Sequence, residues 1–253
     1  MKATRSFIRG SLLAAALAGT MWTSPAANAS VIQLGFILDE SGSIGASNWT
    51  TIRNGLSSAV NNIPVVGADQ YEVTVVTFAS SAQTRVNRVL LTDATVRSTV
   101  ATTIAGIAYT GGGTNFSAAF GEMYDTLTAG GASLLDATYL NFATDGNGSS
   151  GTTQVGNLIT AGVDNISVEG IGSGVSVSTL MSDYCYPGPC TTWPTVNFPS
   201  QGFYLGVADA QGYADAIGAK IGVITGIPEP ATIALLGIGL AGLGASRRRK
   251  RTC

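Results

Sequence analysis

The sequence contains no histidine and only three cysteines. The absence of histidine excludes Ser-His-Asp and Cys-His catalytic groups and removes the commonest zinc ligand. Cys253 is the last residue, whereas Cys185 and Cys190 bracket the short segment YPGP. In an oxidising compartment we expect these two to form a small disulfide loop, with a pair of free thiols as the alternative.

Positive charge is scarce outside the two ends of the chain. Eight of the thirteen Lys and Arg residues lie in the segments 1–29 and 227–253. The middle keeps five cations against fourteen Asp and Glu, a net charge of −9 that the whole-chain value of −2 conceals. Such a surface repels nucleic acid and anionic membranes, so we expect neither as a partner.

The N-terminus has the three parts of a secretory signal peptide. Three cations precede the apolar run SLLAAALAGTMW, and small residues follow at Ala27 and Ala29. The alternative is an apolar first helix of the folded domain, but that helix would have no polar face. We therefore predict export, with residues 1–29 removed as a signal peptide.

Residues 227–253 combine a Pro-Glu-Pro tripeptide at 228–230, an uncharged segment at 231–246 and a basic cluster at 247–251. At ~1.5 Å per residue the uncharged segment is roughly 24 Å long, so it can insert as a short transmembrane segment with the basic cluster in the cytoplasm. This end closely resembles the PEP-CTERM sorting signal. The resemblance implies recognition by an exosortase at the inner membrane, removal of the tail, and delivery to the cell surface or extracellular matrix of a bacterium with an outer membrane. An ordinary tail anchor is the alternative.

Residues 30–226 have the size of one domain with a single core. Apolar runs typical of strands alternate with segments whose apolar residues recur at helical spacing. The predicted strands are VIQLGFIL, YEVTVVTFA, TRVNRVLL, ATYLNFAT, NISVEGIG and GFYLGVAD. Because only a short polar turn joins the second and third, one of them is expected to be antiparallel. The pattern predicts a Rossmann-like, doubly wound α/β fold with a mainly parallel six-stranded sheet, one antiparallel edge strand and helices on both faces.

The predicted helices follow the same spacing argument. The first is expected to begin with Ser47 as N-cap and to end before Pro64. A Pro- and Ser-rich insertion spans 174–200 and contains the cysteine pair. Its aromatic residues suit either a flap that contacts a partner or a packed structural loop; they are Tyr184, Tyr186, Trp193 and Phe198.

Oxygen-bearing side chains follow two of the predicted strands. Asp39 ends the first strand and is followed by Ser41 and Ser43. Asp145 ends the strand ATYLNFAT. If these strands are neighbours where the strand order reverses, both carboxylates meet at the crevice that gathers ligands in such sheets. A run of three glycines can adopt backbone angles closed to other residues and bring Thr114 to the same crevice.

The set Asp39-x-Ser41-x-Ser43, Thr114 and Asp145 resembles the metal-ion-dependent adhesion site (MIDAS) of von Willebrand factor A (VWA) domains, and the resemblance extends over about residues 31–223. In that family the serines and the threonine contact the cation, and the aspartates do so directly or through water. The resemblance implies the same roles here. Independently, hydroxyl and carboxylate oxygens without His or Cys favour a hard cation, Mg²⁺ or Mn²⁺.

Each of these residues, taken alone, has an ordinary explanation. The serines suit a turn or a cap of the first helix, Thr114 suits the N-cap of the third helix, and Asp145-Gly146 is a common turn pair. All five in the right order favour the metal site. Glu40 is expected to point into solvent and is given no role.

These features together predict a binding module and not an enzyme. The hypothesis is an exported MIDAS domain whose cation captures an acidic group of a protein or matrix partner. The alternative is a structural biofilm or matrix protein in which the cation only stabilises the loops. A metal-assisted hydrolase has less support, because no histidine or spare carboxylate in the motifs stands ready as a general base.

Overall fold

The structure, a computed structural model, describes residues 30–226 except positions 136, 147 and 149. The predicted signal peptide and the predicted transmembrane segment with its basic tail therefore lie outside the described residues. Within the described part, no helix is long and apolar enough to cross a membrane. The elements there follow in the order β1 (Val31–Asp39), α1 (Gly45–Val60), β2 (Gln70–Phe78), β3 (Ala82–Leu90), α2 (Ala94–Ala105), α3 (Phe116–Thr128), β4 (Ala137–Thr144), α4 (Thr152–Ala161), β5 (Asn165–Ile171), α5 (Val177–Thr179), β6 (Thr191–Thr192), β7 (Phe203–Val207) and α6 (Ala210–Thr225).

The strands form one sheet in the order β3-β2-β1-β4-β5-β7-β6. Neighbouring strands are parallel except β3, which runs antiparallel to β2 at one edge. The predicted α/β fold is confirmed. The described sheet has seven strands where six are predicted, because the insertion contributes the two-residue strand β6, which pairs with β7.

The sheet is covered on both faces, since successive residues of a strand point to opposite layers. In β1, Phe36 and Leu38 lie in the layer formed with α1, α2 and α6, whereas Ile37 lies in the layer formed with α3 and α4. Burial on both sides explains why β1 is an almost continuous apolar run in the sequence and does not alternate.

Helix α1 begins earlier than the sequence predicts. It starts at Gly45, directly after the turn that carries Ser43, and Ile44 precedes it without a side-chain cap. The prediction that Ser47 is the N-cap is therefore wrong. The physical reason is that residues 41–44 already form a turn, so the next residues enter the helix without a separate polar cap.

The insertion is a packed loop. Cys185 and Cys190 are joined by a disulfide. Tyr184 is buried and its ring stacks on that of Phe120, with centroids 5.5 Å apart. Phe198 packs edge-on against Tyr139 of β4. These contacts favour the structural loop over the partner-contacting flap.

Candidate metal centre

The carboxyl ends of β1 and β4 lie side by side. The two strands are parallel neighbours, with Leu38 opposite Ala143. After β1 the chain proceeds to β2 on one side, and β4 later returns to the other side of β1, so the strand order reverses between β1 and β4. Asp39 and Asp145 are thereby brought to the ligand-gathering edge of the sheet, as predicted.

Asp39 lies at the buried base of the cluster. Its Oδ1 accepts a hydrogen bond from the backbone N–H of Ser41 at 2.8 Å, and its Oδ2 accepts one from Thr144 Oγ1 at 2.6 Å. Burial raises the pKa of Asp39 to about 6, although the hydrogen bonds from Ser41 and Thr144 lower it, and the negative charge of Asp145 adds to the rise. A nearby cation would oppose this shift and lower the pKa, because it favours the ionised carboxylate.

The two serines connect Asp39 to Asp145. Ser41 Oγ and Ser43 Oγ are 3.0 Å apart, and Ser43 Oγ donates to Asp145 Oδ1 at 2.7 Å. Burial also raises the pKa of Asp145, while the bond from Ser43 lowers it. Asp39 and Ser41 are buried, Asp145 is half-buried and Ser43 is exposed, so the cluster opens to solvent on one side.

The glycine loop, which contains residues 111–113, brings Thr114 to the same edge. Gly112 O accepts a hydrogen bond from Gly42 N at 2.8 Å, and this bond connects the loop to the serine turn at residues 41–44. Gly111 and Gly112 have φ angles of +69° and +120°, in the region that side chains other than glycine rarely adopt. A Cβ added to Gly146 would lie 3.7 Å from Thr114 Oγ1, so the threonine hydroxyl is beside the Asp145 turn.

Thr114 is not the N-cap of α3. That role belongs to Asn115, whose Oδ1 accepts from the backbone N–H of Ala118 at 3.0 Å. The ordinary explanation for Thr114 therefore does not apply, and its hydroxyl lies beside Gly146 instead.

The sequence prediction missed two residues that hold the cluster in place. Thr144 binds Asp39 from the end of β4, and a hydroxyl next to a predicted ligand at a strand end was a signal for it. Tyr109 donates its hydroxyl hydrogen to Ser41 O at 3.1 Å. No sequence signal points to Tyr109, because this contact depends on how the glycine loop folds over the serine turn.

Glu40 is buried, so the prediction that it points into solvent is wrong. Its Oε1 accepts hydrogen bonds from Thr77 Oγ1 at 2.9 Å and from Arg85 Nη2 at 3.0 Å. The backbone N–H of Glu40 donates to Phe78 O, so the chain continues alongside β2 past the end of β1. The buried carboxylate is compensated by the guanidinium of the edge strand β3.

The donor set fits a hard cation and few other ligands. Among the described residues, no group of three or more His, Cys, Asp or Glu side chains could hold a metal. A cation at this edge would therefore depend on the hydroxyls together with the carboxylates. The residues that could hold it are Asp39, Ser41, Ser43, Thr114 and Asp145.

A small cavity adjoins the cluster. It has a volume of about 170 Å³ and lies between Asp145, the start of α1 and the start of α6. Its wall includes Asn48 and Asp209 together with the apolar side chains of Ile52 and Ile171. A partner side chain that approached Asp145 would have space there.

A doubly wound α/β domain with a hydroxyl and carboxylate cluster at the point of strand-order reversal belongs to a class of ligand-binding domains. The sequence model of the von Willebrand factor type A domain family matches residues 33–181. The sequence model of the PEP-CTERM protein-sorting motif matches residues 226–250. The chain therefore belongs to the von Willebrand factor type A domain family and carries a PEP-CTERM motif. No curated protein sequence matches it.

Solved structures share the fold at low sequence identity. Proximal thread matrix protein 1 of the mussel byssus, in crystal form 2, matches 78% of this chain and 49% of its own, with a TM-score of 0.60 and 16% identity. The same protein with a zinc-occupied MIDAS motif matches 79% and 46%, with a TM-score of 0.55 and 17% identity. The pilus adhesin SpaC of Lactobacillus rhamnosus GG, in an open conformation, matches 78% and 30%, with a TM-score of 0.56 and 11% identity. The matched region spans less than half of each of these structures.

Proposed function

We propose that this protein is an exported binding module in which Asp39, Ser41, Ser43, Thr114 and Asp145 hold a divalent cation, Mg²⁺ or Mn²⁺, that captures an acidic group of a protein or matrix partner. The observation that carries the proposal is the hydrogen bond from Ser43 to Asp145 across 102 positions of the sequence. It brings the serine turn and the turn that contains Asp145, the aspartate turn, together at one edge of the sheet. Asp39 lies buried beneath them.

The arrangement of charges supports capture of an acidic group. Both oxygens of Asp39 already accept hydrogen bonds, so this carboxylate is suited to contact the cation through an intervening water molecule and not directly. Three neutral hydroxyls then supply the direct contacts, and the cation keeps most of its positive charge. A carboxylate from a partner is the natural ligand for the position that faces solvent beside Ser43.

The comparisons support the same class of function. The neighbours named as a thread matrix protein and a pilus adhesin are binding or matrix proteins, and one contains zinc in its MIDAS motif. The PEP-CTERM motif indicates export and recognition by an exosortase. We further propose that residues 1–29 are a signal peptide, that 30–226 are the VWA domain, and that 227–253 are the sorting signal with a transmembrane segment at 231–246. The final location is the cell surface or the extracellular matrix.

Titration calorimetry with Mg²⁺, Mn²⁺ and Zn²⁺ tests the cation site. The wild-type protein is expected to bind one divalent cation, and Asp39→Asn and Ser43→Ala are each expected to weaken binding by at least ten-fold, about 1.4 kcal/mol. Asp215→Asn is the matched control, because Asp215 is an exposed carboxylate of α6 away from the cluster. Absence of cation binding by a folded wild-type protein would refute the proposal.

A pull-down from the native extracellular fraction, with and without chelator, tests capture of the partner. The binding module loses its partner when the chelator removes the cation. If the chelator lowers the melting temperature but leaves partner capture intact, the cation is structural and the protein is a matrix component without MIDAS-type adhesion.

A further inference from the structure

A second polar cluster lies inside the core, away from the metal centre. Lys220 of α6, Glu169 of β5 and Asn141 of β4 are at most 2% exposed. Lys220 Nζ contacts both Glu169 Oε1 and Asn141 Oδ1. Lys220 is the only lysine between Lys2 and Lys250. An amine, a carboxyl and a carboxamide therefore meet in the interior, and the proposed cation-binding function uses none of them.

The surroundings of this cluster are apolar and aromatic. The ring centroid of Phe203 is 5.0 Å from Lys220 Nζ. Tyr213 is fully buried and close enough to Glu169 to interact with its charge. An ion pair in such a place carries a large desolvation cost, and hydrogen bonds to the two partners offset only part of it.

Burial favours the neutral forms of the two ionisable groups. It lowers the pKa of Lys220, although the charge of Glu169 raises it. It raises the pKa of Glu169, although the charge of Lys220 and the hydrogen bond from Lys220 lower it. Transfer of one proton from the lysine to the glutamate gives a neutral amine, which is a nucleophile, beside a carboxylic acid, which is a proton donor.

We propose that Lys220 and Asn141 become joined by an intramolecular isopeptide bond and that Glu169 is the catalytic residue of this reaction. The neutral amine of Lys220 attacks Cγ of Asn141, the atom bonded to the Oδ1 that Nζ contacts. An N–Cγ bond forms and the Cγ–Nδ2 bond breaks. Glu169 takes one proton from the attacking nitrogen and gives one to the leaving nitrogen, which departs as ammonia. The reaction needs no oxidant, reductant or further reactant.

The bond would join two parts of the fold that are distant in sequence. Asn141 is in β4, the central strand whose end carries Asp145, and Lys220 is in the helix that leads to the sorting motif at residues 226–250. If the proposed adhesive function holds, force between a captured partner and the cell surface would pass directly from β4 to α6. The bond itself does not depend on that function, and its test contains no cation or partner.

Digestion of the denatured, reduced full-length chain tests the bond. A glutamate-specific protease together with trypsin is expected to separate residues 123–169 from the fragment that begins at residue 170. With the isopeptide bond, these two fragments remain joined, their combined mass is lower by one ammonia, and trypsin does not cut after Lys220. Separate fragments and cleavage after Lys220 in the wild-type chain would overturn the proposal.

Three variants test the roles of Lys220, Glu169 and Asn141 in this reaction. Lys220→Arg is expected to give unjoined fragments. Glu169→Gln removes one protease site, so it is read by intact mass and by trypsin, which is expected to cut after Lys220. Asn141→Asp retains a carboxyl group and releases water in place of ammonia, so its joined product should have the same mass as the wild-type product. Joined fragments in Lys220→Arg would contradict the assignment of the nucleophile.

Discussion

At the scale of single residues, the metal centre is built from short hydrogen bonds between hydroxyls and carboxylates. Thr144 and the backbone of Ser41 fix Asp39, and Ser43 fixes Asp145. These bonds place both carboxylates before any cation arrives, so little ordering entropy remains to be lost when it binds. The same bonds leave Asp39 with a raised pKa, because they offset only part of its desolvation.

The pH dependence of cation binding follows from Asp39. In the absence of a cation its pKa is about 6, so at and below this pH much of the folded protein carries a proton there that a cation must displace. We expect the affinity for Mg²⁺ to be constant well above pH 6 and to fall as the pH decreases through that value. Calorimetry between pH 5 and pH 8 measures this, and proton release at pH 6 should be detectable from its dependence on the buffer.

The same pKa predicts the opposite trend for stability without a cation. Because the folded-state pKa of Asp39 lies above its ordinary value of 3.8, the folded state binds the proton more tightly than the unfolded state does. The contribution of Asp39 to the free energy of unfolding is therefore largest at low pH and decreases as the pH rises from about 4 to about 6. In chelator, Asp39→Asn should lose this component of the pH dependence; an unchanged profile would contradict the assignment.

The ion pair between the partly exposed Arg85 and the buried Glu40 leads to a separate prediction. Arg85→Met leaves the Glu40 carboxylate buried without its cation, and we expect the free energy of unfolding to fall by about 2 kcal/mol, less than for a fully buried pair because Arg85 is partly exposed. Urea denaturation measures the change. The double variant Arg85→Met/Glu40→Gln should recover part of the loss, since no charge is then left unpaired.

At the scale of elements, the cluster depends on three loops that meet at one edge of the sheet. The serine turn follows β1, the aspartate turn follows β4, and the glycine loop precedes α3. Backbone hydrogen bonds from Gly42 to Gly112 and from Asn115 to Ala79 hold the glycine loop against the other elements. The start of α3 therefore determines where the Thr114 hydroxyl lies.

Removal of the α3 cap should affect both stability and cation binding. Asn115→Ala deletes the side-chain bond to Ala118 N, which should lower the free energy of unfolding by about 1 kcal/mol and weaken the cation affinity by loosening Thr114. Asp93→Ala is the matched control, because Asp93 caps α2, which contributes no candidate ligand. It should cost a similar free energy of unfolding and leave the affinity unchanged, as measured by calorimetry alongside urea denaturation.

At the scale of the whole molecule, an acidic domain is proposed to bind an acidic partner. The region between the two ends has a net charge of −9, so long-range repulsion opposes the approach of a carboxylate. The cation makes the encounter favourable locally, at the edge where Asp39 and Asp145 concentrate negative charge. Partner capture and cation occupancy are therefore expected to depend on each other.

Cation binding should stabilise the whole domain by mass action. At a free concentration of about 100 times the dissociation constant, a cation that binds only the folded state raises the free energy of unfolding by about 2.7 kcal/mol. For a domain of this size we expect the melting temperature to rise by roughly 5–10 °C, at about 2–4 °C per kcal/mol. Differential scanning calorimetry with Mg²⁺ and with chelator measures the shift. At the same cation concentration Asp39→Asn should show no more than about half of this shift, and an equal shift in that variant would place the bound ion elsewhere.

The sequence by itself determined the α/β class, the antiparallel edge pair and the set of candidate ligands. Apolar periodicity identifies strands and helices because burial requires it. Each candidate ligand alone has an ordinary explanation, and the five were identified by their order along the chain. The PEP-CTERM motif and the predicted signal peptide are likewise linear patterns of charge and hydropathy. These features depend on residues that are close in the sequence, so they can be predicted without the tertiary structure.

Only the tertiary structure decided what depends on contacts between distant segments. Glu40 is paired with Arg85 across β2, Thr144 supports Asp39 across the sheet, and Lys220 meets Glu169 and Asn141 in the core. None of these contacts has a fixed spacing in the sequence. Their partners are selected by strand order and helix packing, and the position of a charged side chain in a helix gives no linear indication of the groups that surround it.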